Sequence, residues 1–151
     1  MRRGPFRAGR NKRMFRELLK PYRAANRFLQ PRLPAKEEEI VRAEAELGVL
    51  FPAELRALLL EMNGDGWLFF SVEEIVRDHL ELHALLAEEL PGIKELLCFA
   101  GNGCGDYYAY QIREGKAVSG LIVRWDHELD QQTPVAKDIP GLIRRYYSDE
   151  I

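Results

Sequence analysis

The stretch FAGNGCGDYYAYQI, residues 99–112, decides the fold. It begins with apolar residues, continues with three glycines within 101–106, and ends with the alternation expected of a half-buried strand. Glycine permits the positive φ angles that tight turns require. The stretch therefore predicts two antiparallel strands, 96–100 and 107–112, joined by a tight loop.

Most of the other predicted strands follow this pair, and most of the predicted helices precede it. Glu114 and Gly115 predict a hairpin turn. The other predicted strands are 67–70, 118–125 and 133–136. In four other segments, apolar residues recur every three or four positions, which is the spacing of amphipathic helices. These segments are 37–47, 52–62, 71–90 and 139–147. Helices followed by an antiparallel strand set predict an α+β fold, with a central, mostly antiparallel sheet flanked by helices.

The formal charge of −2 hides two parts of opposite sign. Residues 1–36 carry twelve Lys or Arg and one acid, a net charge of +11, whereas residues 37–151 carry 10 bases and 23 acids, a net charge of −13. The prolines at 31 and 34 disfavour helix between the two parts. We therefore expect a basic N-terminal arm, 1–36, and an acidic domain, 37–151. The arm has helical spacing over 12–29, where Pro21 either kinks one helix or divides it into two short ones.

Three interpretations of the arm stay open on sequence alone. The Lys and Arg residues of the arm, interspersed with the aromatic residues Phe15, Tyr22 and Phe28, suit nucleic acid binding. Its apolar stripe suits packing on the domain, and its Arg-rich composition suits an organelle transit peptide. No run approaches the roughly 20 apolar residues that span a bilayer, and no secretory signal is recognisable. Because Cys98 and Cys104 are too few for a disulfide framework, we expect a cytoplasmic protein with reduced thiols.

No pattern predicts a catalytic, metal or cofactor site. The glycine loop lacks the Lys-Ser/Thr and the following helix of a phosphate-binding loop. His79 and His83 share one helix face, but no third metal ligand is evident. A small hydrolase built on Cys104, His127 and Asp106 is a hypothesis that requires distant loops to meet.

Three blocks, in this order, resemble the SUKH superfamily, which contains a fungal cell-wall synthesis regulator and many bacterial toxin-immunity proteins. The first runs from EEEI at 37–40 to AELG at 45–48 and continues with FPAEL at 51–55. It is similar to that family's opening helix, the joint after it and the second helix. The second, LEMNGDG at 60–66, resembles its "NGG"-type turn. The third, GNGCGDYY at 101–108 with VRWDHE at 123–128, resembles its strand pair and strand end. The resemblance does not reach residues 1–36.

The resemblance implies a SUKH-like α+β domain with a non-enzymatic role, either neutralising a cognate toxin, often a nuclease, or scaffolding in regulation. We therefore predict a basic protein partner such as a cognate toxin. The alternative is a cell-wall or nucleic-acid-associated module that uses the arm, 1–36; no membrane partner is predicted. Aromatic residues beside acids are typical of binding hot spots. The predicted partner-binding residues are Asp65, Trp67, Asn102, Asp106, Tyr108, Trp125, Asp126 and Glu128.

Overall fold

The computed structural model describes residues 14–151, which form five α-helices and five strands. In chain order these are α1 Met14–Arg23, α2 Glu37–Leu47, α3 Ala53–Glu61, α4 Val72–Leu86, a 3-10 turn at Pro91–Glu95, β1 Leu96–Gly101, β2 Tyr107–Arg113, β3 Lys116–Ala117, β4 Ile122–Asp126, β5 Gln131–Ala136 and α5 Ile139–Tyr147. The predicted α+β class is confirmed. The first 13 residues of the basic arm lie outside the described residues.

The five strands form one antiparallel sheet. Its order is β1-β2-β4-β5, and the short β3 pairs with β2. Glu114 and Gly115 have φ angles of 52° and 77° and form the two-residue turn between β2 and β3, as predicted. β4 begins only at Ile122, later than predicted, because Ser119 and Gly120 form a turn before it.

Helices cover both faces of the sheet. Leu97 and Phe99 of β1 face the main core, which α1, α2, α3 and α5 complete. Cys98 of β1 and Trp125 of β4 face a second, smaller core beneath the C-terminal half of α4 and the 3-10 turn. Successive side chains of a strand point to opposite faces, which explains this division.

A buried glutamate fixes the corner between α2 and α3. Glu44 accepts the backbone N–H of Phe51 at 2.8 Å and a guanidinium N–H of Arg56 at 2.7 Å. Both partners lie beyond the end of α2, so the carboxylate holds the two helices in one arrangement. The first family-like block is therefore a structural joint.

The turn after α3 is organised by Asp65. Its Oδ1 accepts the backbone N–H groups of residues 67–69 at 2.8–2.9 Å. Because a side chain takes these N–H groups, they are not available to a strand ladder. The strand predicted at 67–70 is consequently reduced to a single bridge, between Phe69 and Ala100.

The described part of the basic arm packs onto the domain. Phe15 and Leu19 of α1, and Leu29 after it, are buried in the main core. The carboxylate of Glu61, at the end of α3, accepts the backbone N–H groups of Phe15 at 3.0 Å and Arg16 at 2.6 Å. It therefore caps the first turn of α1. The change of charge sign at residue 36 does not separate two packing units among residues 14–151.

Contacts with α5 complete the docking of α1. The helix ends at Arg23, earlier than the predicted end at residue 29, and Pro21 lies in its last turn. The ring of Tyr22 stacks on that of Tyr147, with centroids 4.3 Å apart. The first and the last described helices are therefore in direct contact.

Candidate functional site

Two loops meet at one end of the sheet because their strands are neighbours. β2 pairs with β4, with Tyr107 opposite Trp125. The loop 102–106 before β2 therefore lies beside the loop 126–130, which begins at the last residue of β4. We call these ten residues the acidic loop pair, because they hold four acids and no Lys or Arg. The acids are Asp106, Asp126, Glu128 and Asp130.

Asp106 and His127 join the two loops. Oδ1 of Asp106 lies 2.8 Å from ring Nδ1 of His127 and accepts its backbone N–H at 3.3 Å. The hydrogen bond to Asp106 raises the pKa of His127. Partial burial acts to raise the pKa of Asp106, but the bonds from His127 outweigh it and leave that pKa lowered. Both shifts favour the ion pair. Gly105 makes room for the ring, since a Cβ there would lie 2.7 Å from its Cε1.

The second loop presents a leucine between acids. Oδ1 of Asp126 accepts the backbone N–H groups of Glu128 at 2.8 Å and Leu129 at 3.2 Å, which shapes the turn. Leu129 is 63% exposed, and Glu128 beside it is also exposed. The tip of this loop therefore combines an apolar contact with negative charge.

The base of the same loop is anchored in the protein. The indole N–H of Trp125 donates to Oδ1 of Asp130 at 2.7 Å, and the backbone N–H of Gly92 donates to Oδ2 at 3.0 Å. Trp125 itself is buried in the second core. The loop is thus held at its base while its tip stays accessible.

An exposed aromatic pair, Phe28 and Trp67, lies at the same end of the sheet. The carbonyl of Leu68 accepts the N–H of Gly101 at 3.0 Å, which brings Trp67 beside the start of the acidic loop pair. Phe28 is 58% and Trp67 46% exposed, and their rings stack with centroids 6.1 Å apart.

Five of the eight predicted partner-binding residues are exposed or half-exposed at this end of the sheet. Asn102 and Asp106 belong to one loop, Asp126 and Glu128 to the other, and Trp67 lies alongside. Their role in binding a partner stays a prediction.

The other three predicted residues, Asp65, Tyr108 and Trp125, are fully buried and do not contribute to the exposed surface. Asp65 holds the turn after α3, and Trp125 anchors the second loop. Tyr108 packs edge-on against Tyr146, with ring centroids 6.1 Å apart. Its strand position turns it into the main core, where contact with a partner would require the fold to open.

Leu129 and Phe28 belong to the exposed surface, although the sequence pattern did not indicate it. Leu129 is a single leucine within a polar run, which is the only local signal. Phe28 follows the helical spacing of the arm, and nothing in the sequence indicates that it stacks on a residue 39 positions later.

The loops also contain groups that can bind a cation or act on a substrate. One ligand atom each of Asp106, Asp126 and His127 lies within 4.8 Å of the others, a grouping not predicted from the sequence. Oδ1 of each Asp already accepts hydrogen bonds that shape the loops. Cys104 is exposed, and no hydrogen bond joins its thiol to His127 in the described part of the chain.

The fold is that of an α+β domain, and the acidic loop pair and the aromatic pair are accessible at one end of its sheet. The sequence model of the SMI1 / KNR4 family (SUKH-1) matches residues 34–145, and the chain belongs to this family, as the resemblance indicated. No curated protein matches the chain. Among residues 14–151, none of the helices combines the length and the apolar character needed to cross a bilayer.

Proposed function

We propose that the chain is a non-enzymatic, protein-binding domain of the immunity type, which binds a cognate toxin and neutralises it. A nuclease is a suitable toxin, because a surface that binds nucleic acid is basic. The acidic loop pair carries the proposal: four acids without a Lys or Arg, around the exposed Leu129, complement such a surface. Family membership supports it, since the resemblance implies toxin neutralisation for many members.

The charge of the remaining domain supports the same partner. Exposed acids that form no ion pair within residues 14–151 include Glu38, Glu46 and Glu89. With a net charge of −13 over residues 37–151, the domain attracts basic proteins over a distance and speeds their association at low salt.

In this proposal, the contact between Asp106 and His127 has a structural role. It holds the two loops together, so that their acids face a partner as one surface. A surface fixed before binding loses less conformational freedom on association and therefore binds more tightly.

Co-expression with the toxic product of an adjacent gene tests the proposal. Wild-type chain is expected to rescue growth and to co-purify with that product. The double variant Asp126→Asn/Glu128→Gln removes two charges but keeps an acceptor oxygen at position 126 for the turn. We expect it to weaken the Kd about tenfold, and more at low than at high salt.

The matched control is Glu46→Gln/Glu114→Gln, which makes the same charge change at the opposite end of the sheet. It is expected to change the Kd less than about twofold. If wild-type chain neither rescues growth nor binds, the proposed function is wrong. If the control weakens binding as much as the loop variant, the acidic loop pair is not the binding surface.

One observation favours a second candidate, a regulatory module that binds nucleic acid through residues 1–36. Lys20, Arg23 and Arg27 are exposed on the described part of the arm. Because α1 belongs to the core, the suitable deletion is 1–13, which removes six bases and leaves α1 in place. Fluorescence anisotropy with labelled single-stranded and duplex oligonucleotides at low salt measures nucleic acid binding. If the full chain does not bind, this function is excluded.

A further inference from the structure

We infer that the arm supplies part of the partner-binding surface, and that the aromatic pair Phe28–Trp67 receives an apolar side chain of the same basic protein that the acidic loop pair binds. This inference rests on the proposed function. It assigns a task to residues N-terminal to the family match, which begins at residue 34.

The exposure of the pair is the first observation. Two large rings, 58% and 46% exposed, stand next to each other at 6.1 Å and nearly parallel, with 15° between their planes. The guanidinium of Arg27 lies 5.0 Å from the centroid of the Phe28 ring. Aromatic residues and arginine are the side chains most often found in binding hot spots. Covering the two rings would remove a continuous apolar surface from water.

Phe28 is held in place before any partner arrives. The N–H of Gln30 donates to the carbonyl of Asp65 at 2.8 Å, and the N–H of Arg32 donates to that of Gly64 at 2.9 Å. Leu29, next to Phe28, is buried in the main core. The backbone on which Phe28 sits is therefore fixed by the domain, which lowers the entropy lost on binding.

Trp67 is fixed from the other side. Its backbone N–H donates to the buried carboxylate of Asp65 at 2.9 Å. Asp65 thus positions both rings, since its carbonyl binds the arm and its carboxylate binds the turn. The pair is a preformed contact surface rather than two independent side chains.

The aromatic pair adjoins the acidic loop pair. The N–H of Gly101 donates to the carbonyl of Leu68 at 3.0 Å, and Phe69 forms a bridge with Ala100, so the turn that carries Trp67 lies beside the start of the loop 102–106. One partner can therefore cover the rings and reach the acids of both loops.

The charges at this end of the sheet favour a protein over a nucleic acid. Stacked rings beside Arg27 also suit an unpaired base. However, Asp106, Asp126 and Glu128 at the same end would repel a phosphate backbone that ran across the rings toward the loops. A basic protein gains from the rings and from the acids together.

The closing experiment measures the Kd for the toxic domain encoded by the adjacent gene, by isothermal titration calorimetry. Phe28→Ala and Trp67→Ala are each expected to weaken the Kd about tenfold or more. The control is Leu50→Ala, because Leu50 is 52% exposed and bridges Lys116 at the opposite end of the sheet. It is expected to change the Kd less than about twofold. The Kd of Phe28→Leu, which keeps an apolar side chain, is expected to lie between those of wild type and Phe28→Ala. Thermal unfolding checks that each variant is folded.

The outcomes separate the two proposals. If wild-type chain binds the toxic domain and the ring variants bind equally well, the inference is wrong and the proposed function stands. If wild-type chain does not bind, both are wrong. A labelled single-stranded oligonucleotide is the second probe: if the ring variants lose it while toxic-domain binding is unchanged, the pair is a nucleic acid site and the inference is overturned.

Discussion

The backbone N–H of Arg16 donates to the carboxylate of Glu61 at 2.6 Å, and this contact fastens the basic arm to the acidic domain. Phe15 donates to the other carboxylate oxygen at 3.0 Å. The guanidinium of Arg16 donates in return to the carbonyl of Glu61 at 3.3 Å. A buried acid of the domain thus neutralises the positive end of α1, where N–H groups have no partner within the helix.

Replacing this carboxylate should loosen the arm. We expect Glu61→Ala to lower the free energy of unfolding by about 2 kcal/mol, because it leaves N–H groups of α1 without their acceptor. Urea denaturation followed by circular dichroism measures the change, and hydrogen exchange of residues 14–23 should become faster. Glu46→Ala, an exposed change on α2, should stay within about 0.5 kcal/mol of wild type. Equal stability of the two variants would contradict the capping role.

The contact between Asp106 and His127 predicts a pH dependence. Because the pKa of His127 is raised, the stabilisation it gives is complete below its ordinary value of 6.5 and is lost as the pH rises through the folded value. Asp106→Asn should return the pKa of His127 toward 6.5. An NMR titration of the ring protons measures this. His79 is the internal control, since burial, with the charge of His83, lowers its pKa to about 4 in either protein. An unchanged pKa of His127 would show that Asp106 does not set it.

Buried Glu54 predicts a pH dependence in the same direction, but one that begins at a lower pH. It accepts the hydroxyl of Tyr110 at 2.6 Å and the N–H of Ile139 at 3.1 Å, and burial raises its pKa above 4.5. Its favourable contribution is therefore complete below that ordinary value and is lost as the pH rises through the folded pKa. Because Gln resembles the neutral acid, Glu54→Gln should lose more stability relative to wild type at pH 4 than at pH 7. Urea denaturation at both pH values measures this difference in the free energy of unfolding. A larger loss of stability at pH 7 would contradict the raised pKa of Glu54.

Two glycines with similar backbone angles allow a matched test of crowding. Gly64 and Gly48 have φ angles of 83° and 69°, but a Cβ on Gly64 would lie 2.7 Å from the backbone N of Ser71, whereas Gly48 has open space around it. Gly48→Ala should cost about 1 kcal/mol for the left-handed conformation, and Gly64→Ala at least about twice that. Thermal unfolding compares them, and equal costs would show that the neighbour moves aside.

Local signals were sufficient for most helices and strands. The predicted limits of α2 and α5 agree with those observed. Three glutamates mark the first turn of α2 and Gly48 follows its last residue, while a Pro lies in the first turn of α5. The turn at Glu114 and Gly115 could also be predicted, since Gly at that position favours a two-residue hairpin turn.

Contacts between distant parts of the chain account for the differences. The strand expected at 67–70 is prevented by Asp65, whose carboxylate takes its N–H groups. Alternation along β2 places Tyr108 and Tyr110 on one face and Tyr107 and Ala109 on the other, and tertiary packing decides which face meets the main core. Neither the hydrogen bonds of Asp65 nor this choice of face can be predicted from local periodicity.

The candidate site divides in the same way. The family-like motifs indicated Asn102, Asp106, Asp126 and Glu128, which are close in the chain to the strand ends that bring them together. The stacking of Phe28 on Trp67 depends on the path of the arm over the domain, which neither periodicity nor charge specifies.

The stacking of Tyr22 on Tyr147 has a consequence for biosynthesis. During translation α1 emerges from the ribosome well before α5, and chains fold as their parts become available. Residues 14–23 cannot complete their native contacts until the ribosome has released residue 147. The apolar stripe of α1 therefore stays incompletely covered on the nascent chain until α5 has been synthesised and can pack against it.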